Sequence, residues 1–187
     1  MAKYFSQKVG TNPVRLSYCN LDKPRASAEG ADPKYSCVLL IPKSDKGCLK
    51  KLRDAMTSVF DNNPGVFKGY KLSALDTIRD GAGTAPKGKA YPPEYADFWV
   101  LNASNKKRPV YEIKEDGAVR ECMDPGEDIY SGCWARVGLT FFAYSNATTG
   151  IGCSLDLVRK VKDDESFSGS VSAKDYFADD DDDDDDL

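Results

Sequence analysis

The stretch GCWARVGLTFFAYS, Gly132 to Ser145, carries two different surfaces on one candidate strand. Side chains alternate across a β-strand, so parity sorts them. Cys133, Ala135, Val137, Leu139, Phe141 and Ala143 form an apolar row suited to a core. The opposite row is Trp134, Arg136, Gly138, Thr140, Phe142 and Tyr144, three aromatics and a cation. A half-exposed face of this make-up stacks flat π systems and meets anions with its guanidinium. Gly138 leaves room for a chain to cross. The plainer outcome is that the rings face a second layer and Arg136 reaches out at the edge.

Other residues extend the aromatic and cationic set. SNKKR, with Lys106, Lys107 and Arg108, lies between two strand-like runs that bear Trp99 and Tyr111, and Arg15 and Lys34 sit on neighbouring candidate strands. The chain closes on FADDDDDDDDL. Its 26 Lys and Arg face 30 Asp and Glu, a net charge of -4, yet without the eight final aspartates the balance is 26 against 22. A basic body opposed to an acidic tail, together with aromatic-plus-cation strands, points to nucleic acid.

With no histidine in the chain, Ser-His-Asp and Cys-His catalysis are excluded. The six cysteines, Cys19, Cys37, Cys48, Cys122, Cys133 and Cys153, form no CxxC pair and read as buried reduced thiols, so neither a metal nor another cofactor is expected. Asp97, with Glu112-Ile113-Lys114 on a strand, resembles the carboxylate plus ExK arrangement of Mg²⁺-dependent nucleases and gives the alternative function. At 30% charged residues such a triplet also arises by chance. A third reading makes the polyaspartate a weak Ca²⁺ buffer.

These residues need elements to position them. VRLSYCNL alternates as a strand, with Val14, Leu16 and Tyr18 on one face, and KYSCVLLIP reads as a buried strand ended by Pro42. Ser44 caps an amphipathic helix whose apolar stripe is Leu49, Leu52, Met56, Val59 and Phe60. Residues 66 to 95, rich in Gly and Pro, suggest a long exposed excursion. FWVLNA and RPVYEI are expected as a hairpin around the basic SNKK tip, and Gly132–Ser145 pairs with Ile151–Val161 as a long hairpin. The fold class is mainly β: a small Greek-key barrel or sandwich with one amphipathic helix packed on it. The expected division is a folded domain over 1–176 and a disordered acidic tail over 177–187. No apolar run is long enough for a membrane span or leader, so a cytoplasmic place is expected.

Taken in order, VRLSYCNLDKP, KYSCVLLIPKSD, the arginine of IRDG, FWVLNASNKKRP, DPGEDIYSGCWARVGLTFFAYSN, GIGCSLDLVRKVKD and AKDYF resemble a phage family of single-stranded DNA-binding proteins once catalogued as a domain of unknown function (DUF2815). That family is similar in kind to the T7-type phage single-stranded DNA-binding proteins. The resemblance implies an OB barrel, without enzymatic activity or cofactor, that coats single-stranded DNA in phage replication and recombination inside the infected bacterial host. It also implies an acidic tail that competes with DNA and recruits a polymerase, helicase or recombinase, and it leaves a homodimer open. The tail residues are Asp179, Asp180, Asp181, Asp182, Asp183, Asp184, Asp185 and Asp186, ending in Leu187 where T7-type tails end in an aromatic.

Overall fold

The computed structural model of the chain describes residues 3–167, so the tail expected over 177–187, with Asp179 to Leu187, lies outside the described residues. Among these the strands are β1 (Ser6–Gly10), β2 (Val14–Arg25), β3 (Lys34–Pro42), β4 (Arg79–Asp80), β5 (Phe98–Asn105), β6 (Val110–Glu115), β7 (Ala118–Glu121), β8 (Trp134–Ser145) and β9 (Thr149–Lys162). The helices are α1 (Lys46–Asp61), two single turns, α2 (Leu72–Leu75) and α3 (Pro125–Asp128), and a 3₁₀ turn at Pro93–Tyr95.

β2 pairs with β3 and β3 with β5, both antiparallel. β5 then meets β9 in parallel at Ser104 and Ser154, β9 runs antiparallel along the whole of β8, and β8 returns to β2 through Val14–Ala135 and Arg15–Trp134. The ring β2-β3-β5-β9-β8 therefore closes on itself as a five-stranded Greek-key barrel of OB type. β1 pairs outside β8, and the β6–β7 hairpin pairs outside β9.

The inward row of β8 is as parity requires: Cys133, Ala135, Val137, Leu139 and Phe141 are essentially inaccessible and Ala143 nearly so. α1 lays Cys48, Leu52, Ala55, Met56 and Val59 on this core, against β1 and β8. Its cap is Asp45, one residue beyond the expected Ser44, with the Asp45 carboxylate accepting from the Cys48 amide at 3.0 Å. All six cysteines are unpaired. Burial pushes the Cys19 thiol up to about 12 and Cys133 to about 11, which favours the protonated thiols.

Three expectations need correction. β5 and β6 are not a hairpin: β9 lies between them, parallel to both, so SNKK is a crossover and not a tip. In that slot β9 turns Ile151, Leu155 and Val158 into the core. The 66 to 95 excursion is partly packed, since Phe67, Leu75, Ile78 and Tyr95 are buried at spacings too irregular to read as an element. Tyr18 does not follow Val14 and Leu16 inward. A bulge between Ser17 and Asn20 breaks the alternation, and Tyr18 takes a left-handed backbone, φ 46°, with 65% of its surface exposed.

Candidate nucleic-acid interface

An OB barrel presents its main ligand surface on its second and third strands, here β3 and β5. Their register sets Ser36 against Ser104, Val38 against Asn102 and Leu40 against Val100. Cys37, Leu39, Ile41, Leu101 and Ala103 point into the core, so the former row faces out. YPPEY, residues 91 to 95, folds across part of it. Tyr95 packs on Leu40 and Val100, and its hydroxyl lies 2.5 Å from Ser17 Oγ.

What stays open is a groove of about 540 Å³ bordered by Tyr18, Val38, Lys89, Tyr91, Tyr95 and Asn102. Lys34 continues the outward row of β3 past Ser36, and Lys106 follows Ser104 just beyond β5. Lys106 Nζ is 2.5 Å from the Asp32 carboxylate in the β2–β3 loop. Both partners are largely exposed, so that pair opens at little cost. The groove thus has tyrosine rings and the Lys89 ammonium at its border, and Lys34 and Lys106 lie together at one end of the β3–β5 ladder.

The outward row of β8 is real, but curvature of a twelve-residue strand deals its members to three places. Phe142 and Tyr144 stand on the hairpin arm, opposite Gly152 and Gly150. A Cβ at Gly152 would lie 2.2 Å from Phe142 Cζ, and one at Gly150 2.4 Å from Tyr144 Oη, so both rings lie across β9 where those glycines leave space. Their centroids are 6.4 Å apart and Phe142 is 39% exposed, with Lys8 of β1 on the same face beside Thr140. Arg136 instead donates to the Thr11 carbonyl and lines a shallow depression with Asn12, Lys114 and Asp116.

Trp134, the third member, pairs with Arg15 beneath the segment that follows β9. Its Nε1 donates to Asp164 at 2.8 Å, while Arg15 donates to the Gly132 and Glu165 carbonyls at 2.9 and 2.7 Å. The Phe167 ring sits 4.1 Å from the Arg15 guanidinium carbon. The indole bond, helped by the Arg15 and Lys162 charges, holds Asp164 below its ordinary value of 3.8, and Lys160 with Tyr130 does the same for Asp163. Carboxylates depressed in this way favour the docked segment above their ordinary pKa, and that contribution is lost as pH falls through the depressed values. Acidification from about pH 5 to 2 is therefore expected to shift Trp134 emission as the two carboxylates protonate, read by fluorescence beside far-UV circular dichroism.

The remaining expected site residues fall elsewhere. Trp99 is half-buried, packed on the main core beside Lys43 and Arg53, and Tyr111 is buried at 3% exposure. Lys107 and Arg108 belong to the crossover, with Arg108 5.1 Å over the Tyr111 ring. The nuclease set is not assembled. Asp97 precedes β5 at one end, whereas Glu112 sits on β6 beyond the far end of β5, bound to Arg159 Nε at 2.6 Å. Among the described residues no group of three or more acidic or sulfur side chains is placed to hold a metal. Tyr18, Tyr91, Lys89 and Asn102 were missed by sequence reasoning. YPPEY was the available signal, two tyrosines spaced by rigid prolines.

A family model described as the Enterobacter phage Enc34 ssDNA-binding protein matches residues 7–187. The chain is 31% identical to the single-stranded DNA-binding protein from bacteriophage Enc34, solved in complex with ssDNA, at a TM-score of 0.67 over 86% of this chain and 89% of that one. It is 29% identical to protein p50 of Acyrthosiphon pisum secondary endosymbiont phage 1, covering 87% of each. The gp2.5 single-stranded DNA-binding protein of bacteriophage T7 shares the fold, with a TM-score of 0.51 at 14% identity over 94% of this chain and 95% of that one.

Proposed function

The chain belongs to the family of the Enterobacter phage Enc34 single-stranded DNA-binding protein, and from that premise we propose that it binds single-stranded DNA without sequence preference, as a binding protein and not an enzyme. The observation that carries the reading is the open aromatic groove on β3 and β5, with Tyr18 turned outward by its bulge, Lys89 on its border, and Lys34 and Lys106 further along the same two strands. Rings accept any base, and ammonium groups follow phosphates while releasing counterions. Phe142 and Tyr144 give a second stacking surface on the hairpin arm, and Arg136 with Lys114 a further phosphate contact.

Titration with oligothymidylates over a range of salt tests this. Log affinity should fall linearly with log salt, and Lys34→Ala with Lys106→Ala should flatten the slope by about 0.7 per lysine. A slope unchanged in that double variant removes these lysines from the DNA path.

The setting we propose is phage DNA replication and recombination in the cytoplasm of the infected host. Asp179 to Asp186 form a tethered polyanion whose effective concentration reaches about the millimolar range, enough to compete with DNA for the basic surface. Once displaced by long DNA, the tail is free for basic surfaces on a polymerase, helicase or recombinase, with Leu187 as its apolar end. Deleting Asp179 to Leu187 is expected to tighten DNA binding and steepen its salt dependence. Equal affinity of both forms at low salt would remove the competition.

A further inference from the structure

We propose that the cleft beneath residues 163–167 is a nucleotide subsite, taking a phosphate between Arg15 and Trp134 Nε1 and a base beside Tyr95, with Asp164 and Phe167 as its resident stand-ins. The inference rests on the single-stranded DNA reading above and adds a site that the polyaspartate competition does not require.

The segment after β9 makes no strand pairing, yet it crosses the outer barrel face on specific groups. Asp164 places a carboxylate 2.8 Å from Trp134 Nε1 and 3.8 Å from Arg15 Nη2. A fixed cation and an N–H donor converging on one anion are what a phosphate oxygen needs. Three residues on, the Phe167 ring stacks at 4.1 Å on the same guanidinium and stands 6.3 Å from the Tyr95 ring, tilted by 59°. An aromatic plane held on an arginine and against a tyrosine occupies the place of a base.

The seat for the crossing chain is also built. The Phe167 amide donates to the Ser131 carbonyl at 3.0 Å. Gly132, at φ 116°, has no side chain where a Cβ would come within 2.2 Å of the Glu165 carbonyl oxygen. The pocket at Phe167 is lined by Ser17, Tyr18, Pro92, Glu94, Tyr95 and Ser131, and it shares Tyr18, Pro92 and Tyr95 with the open groove. One strand of DNA therefore runs from the groove into this cleft only by lifting the segment off Arg15 and Trp134. A segment docked about 80–90% of the time weakens DNA binding about five- to tenfold.

The test uses the full chain and oligothymidylate, read by fluorescence anisotropy. Phe167→Ala changes no charge, so a gain in affinity is not general electrostatics. It is expected to tighten binding about three- to tenfold, and the gain should vanish in an Arg15→Ala background. If Phe167→Ala melts below the assay temperature, Phe167→Leu, which keeps bulk without a π face, carries the same expectation. Affinity that is unchanged or weaker, or a gain that persists with Arg15→Ala, overturns the subsite. Failure of the unaltered chain to bind oligothymidylate at any salt overturns the DNA-binding reading itself, a distinct result.

Discussion

Tyr18→Gly is expected to strip the chain of single-stranded DNA affinity while leaving its fold at least as stable. The ring is 65% exposed and sits on the groove, so its loss removes a stacking partner and almost no core contact. Stacking of one base on an aromatic side chain is worth about 1–3 kcal/mol, roughly five- to 150-fold in affinity. The backbone at Tyr18 is left-handed, φ 46°, a region that glycine enters without the steric cost a tyrosine bears. Glycine therefore keeps the bulge, whereas alanine would keep the strain and confuse the two effects. Oligonucleotide titration and a thermal melt on the same preparation check both halves. A variant that binds DNA as the parent does places the bases somewhere other than this groove.

Phe141→Ala is expected to have the largest effect on stability, about 3–5 kcal/mol lost, because the side chain is 0% exposed and a truncated aromatic leaves a cavity that the barrel cannot close. Its neighbour Phe142, identical in composition and next in sequence, is 39% exposed and lies across Gly152. Phe142→Ala should cost far less stability. Urea denaturation of the two single variants gives the contrast directly. Comparable losses would mean that the hairpin arm does not present Phe142 to solvent as described. The comparison isolates parity as the cause, since both residues share one strand and one side-chain type.

Parity was legible because a β-strand alternates its faces whatever it packs against, and β8 is long enough to show the pattern six times over. The helix stripe and the β8–β9 hairpin were legible for the same reason, a local period fixed by local geometry. Charge opposition and the motif order pointed to the family without any three-dimensional information. Where periodicity failed, the deciding interaction was distant in sequence. β1 alternates no apolar residues, because it is held by its ladder to β8 and not by a buried face. β9 separates β5 from β6, a choice between strands some fifty residues apart that no adjacent-pair rule anticipates.

The site divides along the same line. By itself the sequence determined that the chain is mainly β with one helix and an aromatic and cationic strand face, that histidine chemistry is closed to it, and which family it resembles. These follow from residue types and local period. Only the tertiary structure decided which aromatics are available. Trp99 and Tyr111 turn into or against the core, Trp134 lies under Asp164, and Tyr18 swings out through one left-handed residue. The physical reason is that exposure belongs to a closed surface and not to a residue. Barrel curvature, one bulge and one returning segment reassign side chains whose strand parity alone would have treated them alike.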